Sequence, residues 1–171
     1  MIAPMFRTIA DFTQTWTSES ESTMKVFREI TDDSLSERIT PETRSLGGIT
    51  WHITCSIGEM MTHAGLPLGH LVTEQTPVPA TAAGMVAAYQ ASAAAVNDAV
   101  EAHWTDDQLG DAIPMYGEQW KRGFVLTVLI AHQTHHRGQM TMLMRQAGLK
   151  VPGVCGPSRE EWAAYGMAAP N

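Results

Sequence analysis

Cysteine is scarce in this chain. There are two, Cys55 and Cys155, and neither belongs to a Cys-x-x-Cys pair. No disulfide framework or thiolate metal motif fits that pattern, and the simplest expectation is a cytoplasmic protein with reduced thiols. Positive charge is scarce as well. Lys and Arg number 11 against 18 Asp and Glu, the formal net charge is −7, and the stretch from Ser45 to Trp120 holds neither Lys nor Arg. Nucleic-acid binding needs cations clustered on one surface, so neither DNA nor RNA is an expected partner. No apolar run approaches the ~20 residues that cross a bilayer. The leading MIAPMFRTIADF has no basic head followed by an uninterrupted apolar block, so no secretory signal is expected.

Aromatic residues make up only 7% of the chain, while Met and Ala are plentiful, a balance that favours helix over sheet. A length of 171 residues with 44% hydrophobic and 17% charged content suits one domain over 1–171 with a single sizeable core. Periodicity then predicts four helices. The first runs from about Thr8 to Ile30, with Ile9, Phe12, Trp16, Thr23, Phe27 and Ile30 on one stripe. Ser34 and Glu37 follow as a candidate capping box. The second starts near Thr40-Pro41 or at Ser45 and reaches His63, before Gly65 and Pro67. The loop GLPLGHLVTEQTPVPA is too long for a tight turn and suggests a crossover along a bundle. The third helix spans about Thr81 to Trp104, and Thr105 with Gln108 carries a weak capping signature. After DAIPMYG the fourth is expected over Glu118 to Ala147, stopping at Gly148. A short extension over about 149–171 holds one last short helix, with Ser158 as N-cap and Glu161 reaching back. The expected class is all-α: a four-helix bundle with a long crossover between the second and third helices.

What stands out is IAHQTHHRGQM, with His132, His135 and His136 on the fourth helix. On a wheel of about 100° per residue set from Val125, His132 and His136 lie within roughly 20° of the centre of the apolar face, and His135 falls at its edge. Imidazoles buried in a core are costly unless their nitrogens are satisfied. A metal satisfies them, and an i, i+4 pair can present two nitrogens to one ion. Such a pair is also common as a surface or hydrogen-bonded feature, so a third ligand is needed. His52 of the second helix is the candidate, sharing a stripe with Ile49, Ile53, Ser56 and Met60. A lone core histidine is ordinarily just a satisfied one; two independent core-centred sites in one small bundle are harder to dismiss.

The segments ITWHITCSIGEM, AHQTHHRGQMTMLMRQAG and GPSREEW, taken together and in order, resemble the DinB (damage-inducible, YfiT-like) family. That resemblance implies a four-helix bundle with a long crossover, commonly dimeric, whose three histidines hold a divalent metal, often zinc or nickel. Carried over, the ligands are His52, His132 and His136, while His135 inherits no role. The activities it implies are metal-dependent transfers or isomerisations that use a low-molecular-weight thiol, or hydrolysis. The substrate is then a small molecule, and the link to DNA damage implies no contact with DNA.

The neighbours divide between bland and functional readings. Glu59, about 10 Å of helical rise beyond His52, is either a group that orients the site or acts as a base, or a solvated helix-end charge. Gln139 either hydrogen-bonds a ligand imidazole or is a boundary residue. Arg137 points away from the stripe and suits a contact with a partner helix or a second subunit. Gly138 in mid-helix would be justified by a backbone passing close to the outer face, in a dimer for instance. His63 lies too far along the helix for the same ion, His70 and His103 suit a loop and a helix end, and Cys55 is poorly directed as a ligand. Tyr116, Trp51 and Trp120 either line a pocket mouth or fill the core. The leading reading is a metal-dependent enzyme, in which three neutral imidazoles leave the ion its full charge to acidify a bound water or thiol. The alternatives are a non-catalytic metal- or small-molecule-binding stress protein and a metal-free bundle with a hydrogen-bonded histidine core.

Overall fold

Three of the four long helices begin in the same way, with a hydroxyl side chain capping a free backbone N–H. In the computed structural model, which describes residues 6–170, α1 spans Ile9–Phe27, and Thr8 Oγ1 accepts from Asp11 N at 3.0 Å. Helix α2 spans Leu46–His63 with Ser45 Oγ accepting from Gly48 N at 3.1 Å, which selects Ser45 over Thr40-Pro41 as the start. Helix α3 spans Ala82–His103 behind Thr81, whose Oγ1 accepts from Gly84 N at 3.1 Å. These caps satisfy donors that the first helical turn cannot pair internally. Residues 1–5, on which the secretory-signal expectation partly turns, lie outside the described residues, as does 171.

The fourth helix departs from expectation at its start. Helix α4 spans Arg122–Gln146, and Glu118–Lys121 is instead a strand (β2) paired antiparallel with Ala112–Met115 (β1). Met115 stands opposite Glu118, so Tyr116 and Gly117 form a two-residue loop, and both have positive φ, 52° and 83°. That is the signature of a type I′ turn, whose twist suits a tight hairpin. The expected helical start gives way because Tyr116-Gly117 reverses the chain immediately before it. At the other end the expectation holds: Gly148 takes a φ of 70°, and Leu149 N donates to Met144 O.

Smaller capping expectations divide. The box expected at Ser34 and Glu37 lies one turn earlier: Ser34 N donates to Thr31 Oγ1 at 3.3 Å, and Thr31 N donates to Ser34 Oγ at 3.0 Å. Gln108 does reach back to Thr105 N, at 2.9 Å. In the tail, Glu161 accepts from Ser158 N at 3.1 Å and Gly153 N at 3.0 Å, but the helical turn is a 3-10 segment, Trp162–Tyr165, that begins after Glu161.

Packing follows the apolar stripes. Helix α1 packs on α3 and α4, and α2 packs on the same two, which sets α1 and α2 diagonally across the bundle. Phe12, Trp16 and Phe27 of α1 meet Tyr89 and Val96 of α3 and Leu129 of α4 in a continuous buried core. Helix α2 is buried around most of its circumference because the crossover, residues 64–81, lies along its outer side. Two residues dock it there. Cys55 Sγ donates to Thr73 O at 3.4 Å, and Gly58 leaves the space in which the Val72 carbonyl sits, where any Cβ would collide with it.

Arg137 belongs to the interior of the bundle, with 3% of its surface exposed. Its guanidinium donates to Glu19 Oε2 at 2.8 Å and to Glu19 O and Thr23 Oγ1 at 3.2 Å each, tying α4 to α1. The helix wheel set it away from the core stripe because α4 contacts α1 as well as α2 and so buries more than one face. Gly138, by contrast, has no atom within 4 Å of the place a Cβ would take, so no backbone of this chain explains it.

Arg137 is buried and Glu19 partly so, and removing the guanidinium leaves a partly desolvated carboxylate uncompensated. Arg137→Ala is therefore expected to lower the unfolding free energy by about 3 kcal/mol in chemical denaturation. A change below about 0.5 kcal/mol, the usual range for a surface substitution, would show that the α1–α4 tie contributes nothing.

Candidate metal centre

Two helices meet at three histidines. His52 comes from the first half of α2; His132 and His136 lie one turn apart on α4. The register between these helices is held beside the site by Gln133, a buried side chain whose Nε2 donates to Ile53 O at 3.2 Å. The resulting rings stand at steep angles to one another, with centroids 5.1 Å apart for His52–His132, 4.6 Å for His52–His136 and 4.4 Å for His132–His136. One nitrogen from each lies within 4.8 Å of the others, and the group could hold a metal ion.

The spacing suits a shared ion. His132 Nε2 and His136 Nε2 are 3.1 Å apart. Zinc–nitrogen bonds of about 2.0–2.1 Å would separate two ligand nitrogens by about 3.3 Å at a tetrahedral angle and about 2.9 Å at a right angle. The tautomer of His136 is also set. Its Nδ1 donates to Gln139 Oε1 at 2.7 Å, so its Nε2 keeps a lone pair directed at the site. Gln139 is oriented in turn by His135, since its Nε2 donates to His135 Nε2 at 3.2 Å. His135 thus acquires a supporting place that the helix wheel did not assign it.

A hydrogen-bonded histidine core would look different. His52 Nδ1 and His132 Nδ1 are buried with no hydrogen-bond partner, and only one contact joins two of the three rings as a hydrogen bond. Glu74, on the crossover, approaches His52 Nδ1 to 3.7 Å, within ion-pair reach but long for a hydrogen bond. It stands behind His52 in the way carboxylates commonly orient metal-binding imidazoles. Nothing in the sequence pattern singled out Glu74 or Gln133. Both act through tertiary contacts: Glu74 reaches His52 because the crossover is docked at Cys55 and Gly58.

All three rings favour the neutral state that metal binding requires. Burial lowers His52 to about 4, with Arg44 and His136 adding to the shift. Burial likewise takes His132 to about 4, helped by His136, His52, His135 and Arg44. His136 is lowered by burial too, against the opposing hydrogen bond from Gln139. A cleft of about 400 Å³ is lined by His136, Gln139, Ile49, Leu143 and Arg44, among others.

Other named residues fall elsewhere. Glu59 makes no hydrogen bond to any of the three imidazoles. Its carboxylate accepts from Tyr116 Oη at 2.8 Å and lies 3.6 Å from His63 Nδ1, in a separate cluster where Tyr116 stacks on His63. Trp120 packs between Tyr116 and Phe124, and Trp51 packs with Cys55 and Val72, so none of the three named aromatics lines the cleft. Cys55 is held protonated, its thiol raised to about 11 by burial and by Glu74, and it is outside the histidine group. His70 and His103 border a different depression, against α3.

The comparisons with known proteins agree with this architecture. The model of the DinB family matches residues 5–170. The protein YrdA of Bacillus subtilis is 42% identical over 167 residues, covering 98% of this chain and 99% of its own. The crystal structure of a DinB-like protein from Bacillus cereus, also 42% identical, superimposes with a TM-score of 0.83 over 88% of this chain and 99% of its own. A second DinB-like protein, YjoA of Bacillus subtilis, shares 16% identity and the fold, with a TM-score of 0.65 over 82% of this chain and 94% of its own.

The lowered imidazoles link the site to pH. Each stays neutral in the folded chain well below 6.5, the pH near which it protonates once unfolded. Between 6.5 and about 4 the unfolded state therefore binds more protons, and the metal-free protein loses stability as pH falls through that window. Denaturation midpoints at about pH 7 and about pH 5 test this, and His132→Gln is expected to flatten the difference. Equal midpoints for the parent protein would mean that the rings are not desolvated.

Proposed function

The chain belongs to the DinB family, and from that premise we propose that it is a divalent-metal-dependent enzyme that holds zinc or nickel through His52, His132 and His136. The observation that carries the reading is the convergence of three neutral imidazole nitrogens within 4.8 Å beside an open cleft. Among the described residues no fourth His, Cys, Asp or Glu joins them. An ion held there has room for an exogenous ligand, which favours chemistry over a purely structural site. A divalent ion in an all-nitrogen, uncharged ligand set supplies strong Lewis acidity to a molecule that enters from the cleft.

The chain's own residues then have distinct tasks. Gln139 keeps the Nδ1 proton of His136 in place, so that ring cannot turn away or present the wrong tautomer. Glu74 favours a proton on His52 Nδ1 and thereby frees its other nitrogen for the ion. Gln133 holds α4 against α2, so the single ligand and the paired ligands keep their separation. Ile49 and Leu143 make the adjoining wall apolar, which excludes water from the face where the reaction takes place. The reaction class we assign is transfer or isomerisation with a low-molecular-weight thiol, with hydrolysis as the second. A homodimer is the assembly we expect, and the open face over Gly138 leaves room for a second copy. Sedimentation of the purified protein as a monomer would contradict that part.

Elemental analysis of purified protein tests the site. About one zinc or nickel per chain is expected, as for a single mononuclear site. His132→Ala should abolish it, and Glu74→Gln should weaken binding by roughly tenfold, as for other carboxylates behind a ligand histidine. Metal content unchanged in His132→Ala would rule out the assignment. Assays of the loaded protein with low-molecular-weight thiols and electrophiles then test catalysis, and absence of metal-dependent turnover would favour a non-catalytic binding protein.

A further inference from the structure

The cleft beside the histidines holds an unusual cation. In a chain of net charge −7 whose span from Ser45 to Trp120 carries no Lys or Arg, Arg44 is set one residue before the cap of α2, on the wall shared with His136 and Gln139. Of the other seven arginines, four are paired with carboxylates: Arg28 with Glu21, Arg122 with Asp111, Arg137 with Glu19 and Arg145 with Glu160. Arg7, Arg38 and Arg159 have no ion pair among the described residues but lie outside this cleft. Arg44 has no ion-pair or hydrogen-bond partner among the described residues. Its charge is near enough to be felt at all three imidazoles.

The remaining wall is apolar. Ile49 and Leu143 form its floor, and Ile39 and Met142 stand at its mouth, each 68% exposed. Large aliphatic side chains that exposed are poorly placed for stability, and here both border one depression of about 400 Å³, within the usual size range of small-molecule sites. The cleft therefore offers three kinds of contact: the histidine group, where a bound ion would accept an electron pair, an aliphatic trough and an unpaired guanidinium. A guanidinium is suited to fork-like pairing with a carboxylate or phosphate.

We propose that the molecule bound at the histidine site is a small amphipathic anion, whose acidic group pairs with Arg44 while its apolar segment lies along Ile49, Leu143, Ile39 and Met142. Arg44 is then a specificity-determining residue, selecting acids over neutral analogues of the same length. On a protein that otherwise repels anions, this one cation also sets the orientation in which the ligand reaches the histidines. The inference rests on the metal reading above, and it goes beyond it by naming the charge of the ligand and the residue that reads it.

Two matched probes test it. Protein loaded with cobalt(II) is titrated with mercaptohexanoate and with mercaptohexanol, and binding is followed through the sulfur-to-cobalt charge-transfer absorption. The acid is expected to bind about tenfold more tightly than the alcohol, as for one charge-assisted pair. Arg44→Gln should erase that preference through loss of acid affinity, and Arg44→Lys should restore part of it. Equal affinities in the parent protein, or a preference that survives in Arg44→Gln, overturns the role of Arg44 while leaving the metal site standing. Cobalt that fails to load, or that gives no charge-transfer band with either thiol, overturns the metal reading and this inference with it.

Discussion

Three imidazoles brought to one partly buried point cannot all carry charge, and much of this structure is arranged around that constraint. Burial suppresses the protonation of all three, Arg44 adds to it at each, and the neighbouring imidazoles lower His52 and His132 further. The result is a set of neutral nitrogens with lone pairs available at ordinary pH. Such a cluster has an energetic cost if left to itself, since two of its nitrogens have no hydrogen-bond partner. A function that uses the lone pairs accounts for it better than stability does.

Holding the cluster requires more than the propensity of α2 and α4 to form. Helix α4 is gripped on two sides, by Gln133 against α2 and by Arg137 against α1. These are polar contacts between helices in a mostly apolar interior, and each specifies a register that methionine and leucine packing alone leaves loose. The crossover contributes from outside. Because Gly58 lets it lie directly on α2, Glu74 comes to rest behind His52. The site is thus built from a helix pair and trimmed by a loop, and the two parts depend on each other through α2.

One cleft is bordered by an imidazole, an aliphatic wall and a guanidinium. The three histidines form a group that could hold a metal ion, Gln139 and His135 fix one ring by a short hydrogen-bonded relay, and Arg44 lines the cleft together with Ile49 and Leu143. The hairpin forms another polar cluster, where Tyr116 and Glu59 meet His63, and that cluster is distinct from the histidine site. Its role in the fold is to bring the chain tightly into α4.

Much of this was legible in the amino-acid order. Threonine or serine before each of α1, α2 and α3, the glycine after α4, and the three- and four-residue spacing of large apolar side chains determine the helices, because capping and amphipathicity are local properties. The same spacing placed His132 and His136 on one face and His52 on the apolar stripe of α2, and the family resemblance grouped the three. The type I′ hairpin was missed because each of its strands is only four residues long and no alternation can register over that span. Arg137 makes the partner-helix contact expected of it, to α1, but its burial was missed because a helix wheel knows a single buried face, whereas α4 has neighbours on two. Glu59 was offered as a candidate on helical rise alone, yet the hairpin captures it. Gln133, Glu74 and Arg44 carry no local signature at all. Their importance arises where α2, α4 and the crossover meet, and contacts between segments far apart in the chain are decided by tertiary packing, where periodicity along the chain has nothing to say.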